Sequence, residues 1–123
     1  NLVTQRILLR AEDRPADFSL MFSNIDEFDI AYKYGIDKNL DGMFACTPKT
    51  ARKLYDALAA GDMATAGALQ RQFLPSIDLL FCEVNPIPVK AAMQCIGYDC
   101  GGCRLPLCGL TKEHQAQIER HFT

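Results

Sequence analysis

The spacing of apolar positions changes along the first part of the chain and separates helices from strands. Residues 2–11 carry apolar side chains every three or four positions, as on one face of a helix. Residues 18–22 and 43–46 are instead short apolar runs next to turn residues, which is typical of buried strands. Between these two runs, residues 25–34 again show helical spacing and end near Gly35. The pattern predicts helix, strand, helix and strand in this order.

The stretch after the second apolar run predicts two consecutive helices. Thr47 followed by Pro48 is a typical helix start, with a hydroxyl cap and a proline at the first helical position. Gly61 ends this helix, and Asp62 caps the next one. The next helix is long and contains Pro75, which should bend it.

Two more helices complete the predicted secondary structure. Residues 85–88 contain two prolines separated by one residue, a pattern that suits an extended segment whose last proline opens a helix. Residues 89–96 form that helix, and Gly97 stops it. A last helix follows Thr111, whose hydroxyl caps it.

Strands that alternate with helices indicate parallel βαβ units, so the first part of the chain predicts an α/β fold. Two strands alone leave open edges and make no stable sheet. The pattern therefore predicts that further strands come from outside these 123 residues.

Composition narrows the class of protein. The net charge of −2 gives no basic surface for nucleic acid, and no apolar run is long enough to span a bilayer. The first residues do not form a signal peptide. Without an export signal, the six cysteines are expected to be free thiols in a cytoplasmic protein. The cysteines are Cys46, Cys82, Cys95, Cys100, Cys103 and Cys108.

Four short stretches resemble the dihydrodipicolinate synthase/N-acetylneuraminate lyase family of class I aldolases. They are NPIPVKAAM at 85–93, RLPL at 104–107, and residues 22–27 and 41–47. The resemblance implies the C-terminal part of a (β/α)8 TIM barrel. Residues 1–61 would hold the last βα units, from helix six through strands seven and eight to helix eight. Residues 62–123 would be the three-helix C-terminal extension of the family.

Active sites of such barrels lie at the carboxyl ends of the strands. The residues that follow the two predicted strands are Ser23, Asn24, Asp26, Glu27, Cys46 and Thr47. The resemblance implies that Asp26 and Glu27 bind hydroxyls of a substrate. Equally, two carboxylates at a helix start simply complement the helix dipole. Likewise, Cys46 would otherwise be an inert buried thiol and Thr47 a helix cap.

Two departures from the family pattern concern the substrate. Asn24 stands where the family usually has glycine, and Cys46 looks equivalent to a serine that touches the substrate in the sugar-acid lyases. A thiol is a weak hydrogen-bond donor, and an asparagine side chain narrows a pocket. The resemblance therefore implies a pyruvate-dependent aldolase or lyase without naming its aldehyde.

A class I aldolase needs a buried lysine that forms an imine with pyruvate. The resemblance places this lysine at the end of strand six, before Asn1, so we expect no catalytic residue in this chain. It implies no cofactor. The expected partners are pyruvate, an aldehyde, and either the missing half-barrel or further copies in a tetramer. The 123 residues alone are expected to be inactive.

The cysteine-rich loop supports an alternative of another class. Cys95, Cys100, Cys103 and Cys108 have spacings of four, two and four residues between them, and four thiolates so arranged could bind zinc or an iron–sulfur cluster. A redox dithiol typically has its C-x-x-C motif at a helix N-terminus after a strand, and the sequence predicts no such helix start at this motif. The alternative function is a non-catalytic metal- or thiol-binding module.

Overall fold

Helices dominate the part of the chain that the computed structural model describes, which comprises residues 10, 15–24 and 27–123. Six α-helices lie there: α1 Phe28–Lys33, α2 Gly42–Cys46, α3 Pro48–Ala59, α4 Met63–Leu80, α5 Ile87–Cys95 and α6 Lys112–Phe122. These described residues contain one isolated parallel bridge, between Phe22 and Asn39. The helix predicted over 2–11 lies outside them, residue 10 excepted.

The strand predicted over 43–46 is wrong, because this segment forms the helix α2. The Asp41 carboxylate accepts a hydrogen bond from the Met43 N–H at 2.8 Å and caps the helix start. Met43 and Cys46 then turn inward and are buried. A short apolar run is compatible with a buried helix as well as with a buried strand, and here it forms a helix that Asp41 caps.

The second extended segment lies at 38–40 instead. The Phe22 N–H donates to the Lys38 carbonyl at 2.8 Å, and the Leu40 N–H donates to the Phe22 carbonyl at 2.9 Å. This pairing is parallel, in agreement with the predicted direction. Of the predicted first strand, 18–22, only Phe22 takes part. The two segments are thus parallel at a single bridge, but neither the strand predicted over 18–22 nor the strand predicted over 43–46 forms among the described residues.

The predicted helix ends agree with the structure at most positions. Helix α1 ends at Lys33, two residues before Gly35, and α5 ends at Cys95, two residues before Gly97. The two glycines have φ angles of +87° and +96°. Asp62 caps α4 by accepting from the Thr65 N–H at 3.0 Å. Pro75 lies inside α4, as predicted.

The predicted role of the Thr47 hydroxyl is wrong, although the helix start itself is confirmed. The Thr47 side chain accepts no hydrogen bond from α3. Its hydroxyl donates to the Met43 carbonyl at 2.9 Å and so satisfies the end of α2. Only Thr47 separates α2 from α3, and its hydroxyl hydrogen-bonds to the end of α2 instead of the start of α3.

One apolar core joins the early and late helices. The Phe44 ring packs edge-on against Phe28 at 6.0 Å and tilted against Phe73 at 6.3 Å between ring centroids. Leu54 from α3 and Ile118 from α6 are fully buried in the same cluster. Aromatic and aliphatic burial of this kind is the main source of stability for the packed helices.

Within the described residues, no helix combines the length and apolarity that crossing a bilayer would require.

Glu83 ties the loop after α4 to the start of α6. One of its carboxylate oxygens, Oε1, accepts from the backbone N–H and the hydroxyl of Thr111, both at 3.0 Å. The same oxygen lies 2.6 Å from Nδ1 of His114. These contacts, led by the Thr111 N–H and followed by His114, hold the pKa of the Glu83 carboxyl below its ordinary value. The ionised carboxylate therefore stabilises the α6 N-terminus more than the protonated carboxyl does.

We expect this contact to make stability depend on pH in a defined direction. A carboxyl whose folded pKa is depressed contributes stability above its unfolded pKa of about 4.3, and loses it as pH falls through the lower folded value. Urea titrations of wild type and Glu83→Gln from neutral pH to pH 3 measure this. The difference between the two should shrink as the pH falls below about 5. A difference that grows on acidification would contradict the assignment.

Candidate functional site

A cavity of about 210 Å³ opens at the carboxyl end of the parallel pair. Ser23 follows Phe22 on the first segment, and Asp41 follows Leu40 on the second, so the pairing places both at this end. The walls come from these two segments, the start of α2, the end of α4 and the side of α5. The lining residues are Ser23, Leu40, Asp41, Gly42, Met43, Leu80, Phe81, Asn85 and Val89.

The polar groups of the cavity are few and come from separate parts of the chain. Asp41 is half-buried, and its Oδ1 is held by the Met43 N–H at 2.8 Å. Ser23 and Asn85 are exposed. A carboxylate, a hydroxyl and an amide around a partly apolar hollow can bind hydroxyl or other polar groups of a small molecule.

Gly42 allows α5 to approach the cavity closely. A Cβ built on Gly42 would lie 3.3 Å from Cγ2 and 3.5 Å from Cγ1 of Val89. Val89 is β-branched and stiff within a helix, so it cannot easily turn away. The absence of a side chain at Gly42 therefore sets the distance between the Asp41 cap and the α5 wall.

The residues predicted after the first strand have different positions. Ser23 lines the cavity, and Asn24 is exposed beside it. The Asn24 carbonyl accepts from the Glu27 N–H at 3.4 Å. Glu27 is half-buried directly before α1 and makes no capping hydrogen bond with its side chain. Asp26 lies outside the described residues.

Cys46 and Thr47 do not line this cavity. Cys46 is buried, with its sulfur 3.9 Å from the Val89 carbonyl. Burial raises the pKa of the Cys46 thiol to about 11, with smaller contributions from Cys100, Asp41 and Cys95. Because the paired segment ends at Leu40, position 46 is not at a strand end. Cys46 and Thr47 therefore do not lie at the strand end where they were predicted to lie.

Sequence reasoning missed Asp41 as a candidate site residue. Residues 39–42 carry turn chemistry, and a turn was all that this pattern predicted. A signal was present, because an aspartate directly before a glycine and an apolar run is also a typical helix cap. The missing information was where the second parallel segment ends.

The cysteine-based alternative finds no support in the described geometry. Among the residues that the structure describes, no three His, Cys, Asp or Glu side chains are grouped so that they could hold a metal ion. All six cysteines are free thiols. The donor set that the spacing predicted for zinc or an iron–sulfur cluster is thus not assembled.

Comparisons with known proteins agree on one protein family. Residues 8–123 match the model of the dihydrodipicolinate synthetase family. A 4-hydroxy-tetrahydrodipicolinate synthase from Exiguobacterium sp. is 38% identical over 104 residues, which cover 85% of this chain and 36% of that protein. Its counterpart from Ligilactobacillus salivarius is 34% identical over 111 residues, covering 87% of this chain and 37% of that protein. The chain thus spans little more than a third of these relatives.

Solved structures show the same fold. A dihydrodipicolinate synthase from Aquifex aeolicus superimposes with a TM-score of 0.86 at 21% identity, over 98% of this chain and 41% of that one. A dihydrodipicolinate synthase from Bacillus anthracis gives a TM-score of 0.86 at 24% identity, over 99% of this chain and 41% of that one. The arrangement of helices is therefore that of part of these proteins.

We expect Gly42→Ala to destabilise the full-length protein by about 1 kcal/mol, because the new methyl group presses on Val89. Gly67→Ala is the matched control. It lies inside α4, where a Cβ meets only Arg71 at 3.6 Å. The control should stabilise the protein by about 0.5–1 kcal/mol through helix propensity. Urea titration measures both, and equal effects of the two substitutions would refute the close contact.

Proposed function

Because the chain belongs to the dihydrodipicolinate synthetase family, we propose that it is the C-terminal portion of a pyruvate-dependent Schiff-base aldolase or lyase. Residues 1–61 would supply the last βα units of the barrel, and residues 62–123 the helical extension. The whole enzyme would condense or cleave pyruvate with an aldehyde. The single observation that carries the proposal is the cavity at the carboxyl end of a parallel pair, where such barrels bind substrate.

The chemistry of the whole enzyme defines what this portion contributes. A lysine amine attacks the keto carbon of pyruvate, water leaves, and the imine loses a proton to give a carbon nucleophile for the aldehyde. We place that lysine before Asn1. In this chain, Ser23 and Asp41 border the cavity and are suited to hold polar groups of the aldehyde partner. Asp26 and Glu27 remain proposed substrate contacts through the family resemblance.

Asn24 bears on the identity of that aldehyde. Asn24 is exposed beside the cavity, so its side chain stands where the family usually has none. This difference favours a substrate other than that of the sugar-acid lyases. Cys46 does not line the cavity, and its thiol lies against the Val89 carbonyl, so its exchange for serine gives no information on the substrate here.

Buried polar atoms without partners and exposed apolar side chains support the proposal that the rest of the barrel covers this region. The Asn39 side chain has Oδ1 and Nδ2 buried without a hydrogen-bond partner among the described residues. Leu40 and Val84 expose 70% and 65% of their surface. Buried polar atoms and exposed apolar side chains are both costly, so further strands or a second copy should cover this region.

The proposal also includes a cytoplasmic tetramer. Free cysteines, of which Cys100 and Cys108 are exposed, are typical of a reducing compartment. Assembly into tetramers is what the family resemblance implies.

Borohydride trapping tests the reaction. The full-length protein incubated with pyruvate and sodium borohydride should carry a reduced adduct on one lysine encoded before Asn1. Acetate, which has no keto group, serves as the control in place of pyruvate and should leave no adduct. An adduct on a lysine within residues 1–123, or none at all, would overturn the assignment of the imine.

Expression of residues 1–123 alone tests incompleteness. We expect poor solubility or a partly molten state, with near-native far-UV circular dichroism but no cooperative thermal transition. The exposed apolar residues and the single parallel bridge are the physical reason. A monomer that melts cooperatively would contradict the proposal.

A further inference from the structure

Three cysteines of the glycine-rich loop between α5 and α6 open onto one hollow. The hollow has a volume of about 150 Å³ and is separate from the candidate substrate cavity. Cys100, Cys103 and Cys108 line it together with Lys90 of α5. Cys100 and Cys108 are exposed and Cys103 is half-buried, so solvent reagents can reach the thiols.

Lys90 holds the backbone between Cys100 and Cys103 in a bend. Its ammonium group donates to three successive carbonyls, those of Cys100 at 3.0 Å, Gly101 at 3.3 Å and Gly102 at 2.8 Å. In an extended chain, successive carbonyls point to opposite sides, so three of them reach one nitrogen only if the backbone bends around it.

Two further features stabilise the same bend. The Asp99 carboxylate accepts from the Gly101 N–H at 2.8 Å. Gly101 has a φ of +65°, a conformation that a glycine adopts without strain. Because the backbone bends in this way, we infer that Cys100 and Cys103 lie closer together than the roughly 10 Å that three extended residues span. Glycines between the cysteines also leave the backbone free to bring the two sulfurs together.

We propose that Cys100 and Cys103 are a redox modification site that forms a reversible intramolecular disulfide with a low-molecular-weight disulfide, such as glutathione disulfide, as oxidant. The thiolate of one cysteine attacks a sulfur of the oxidant and expels one small thiolate. The second cysteine attacks the mixed disulfide and expels the other. Two protein thiols and one small disulfide thus become one protein disulfide and two small thiols, with the protons conserved.

The other cysteines are less suited to this exchange. Cys46 is buried, and its desolvated thiol forms the reactive thiolate only at high pH. Neither Cys82 nor Cys95 lines the hollow. Cys108 does, and it is the competitor that an experiment must separate from the Cys100–Cys103 pair.

The inference is independent of the aldolase proposal. It describes a modification of the loop, and its readout is a covalent bond. It places Lys90, which follows the cavity-lining Val89 on α5, in a positioning role for the two thiols.

Peptide mapping of the full-length protein decides which bond forms. After incubation with glutathione disulfide and alkylation of free thiols, trypsin and an endoproteinase that cuts before aspartate separate three peptides. Residues 91–98 contain Cys95, residues 99–104 contain Cys100 and Cys103, and residues 105–112 contain Cys108. We expect peptide 99–104 unalkylated, lighter by two hydrogen atoms, and restored to the dithiol by dithiothreitol.

Other products overturn the proposal. These are alkylation of both Cys100 and Cys103, a stable glutathione adduct on either, or a link from peptide 99–104 to one of the other two. Cys108→Ser should leave the disulfide yield unchanged, whereas Cys103→Ser should abolish it. Loss of the disulfide in Cys108→Ser would show that Cys108 is one of the bonded cysteines, and it would overturn the assignment to Cys100 and Cys103.

The role of Lys90 is tested with a matched pair of variants. Lys90→Met removes the ammonium group from the carbonyls, and the ratio of disulfide to dithiol in a fixed glutathione buffer should fall about tenfold, because the thiols lose effective concentration. Lys49→Met, at an exposed site on α3, should leave the ratio unchanged. Equal ratios in both variants would refute preorganisation by Lys90, and the wild-type map still decides the disulfide itself.

Discussion

Two backbone hydrogen bonds between Phe22 and the segment 38–40 organise the first half of this protein. They join two stretches that are separated by α1 and orient them in parallel. The candidate cavity exists because the residues after each paired segment emerge at the same end. Without this pairing, Ser23 and Asp41 would have no reason to be neighbours. Bringing the segments together lowers the conformational entropy of the chain. Burial of Phe22, Phe28 and Ile36 around them offsets this loss.

Helix α5 contributes residues to both the candidate substrate cavity and the hollow of the cysteine-rich loop. Its Val89 packs on Gly42 and lines the candidate substrate cavity. The adjacent residue, Lys90, reaches the cysteine-rich loop. Successive residues of a helix point in directions about 100° apart, so one short helix supplies walls to two separate hollows. The segment with the most specific family resemblance is therefore also the segment that both hollows depend on.

The cysteines show how environment separates residues of one type. Cys46 is buried beneath α5, and desolvation raises the pKa of its thiol to about 11. Cys100 and Cys108 are exposed and line the hollow beside Lys90. The spacing of four cysteines suggested a metal site, but spacing alone does not state which thiols converge. Chemistry in this loop depends on the bend that Lys90 and Asp99 impose.

By itself, the sequence determined the helix ends before Gly35 and Gly97, the Asp62 and Thr111 caps, and the family, because these signals depend on local backbone geometry or on short motifs. Only the tertiary structure decided that residues 43–46 are helical, that the second parallel segment lies at 38–40, and that Asp41 borders the cavity. A short apolar run is compatible with either a strand or a helix. What selects between them is a partner distant in sequence, here Phe22 for the extended segment and the α5 wall for the helix.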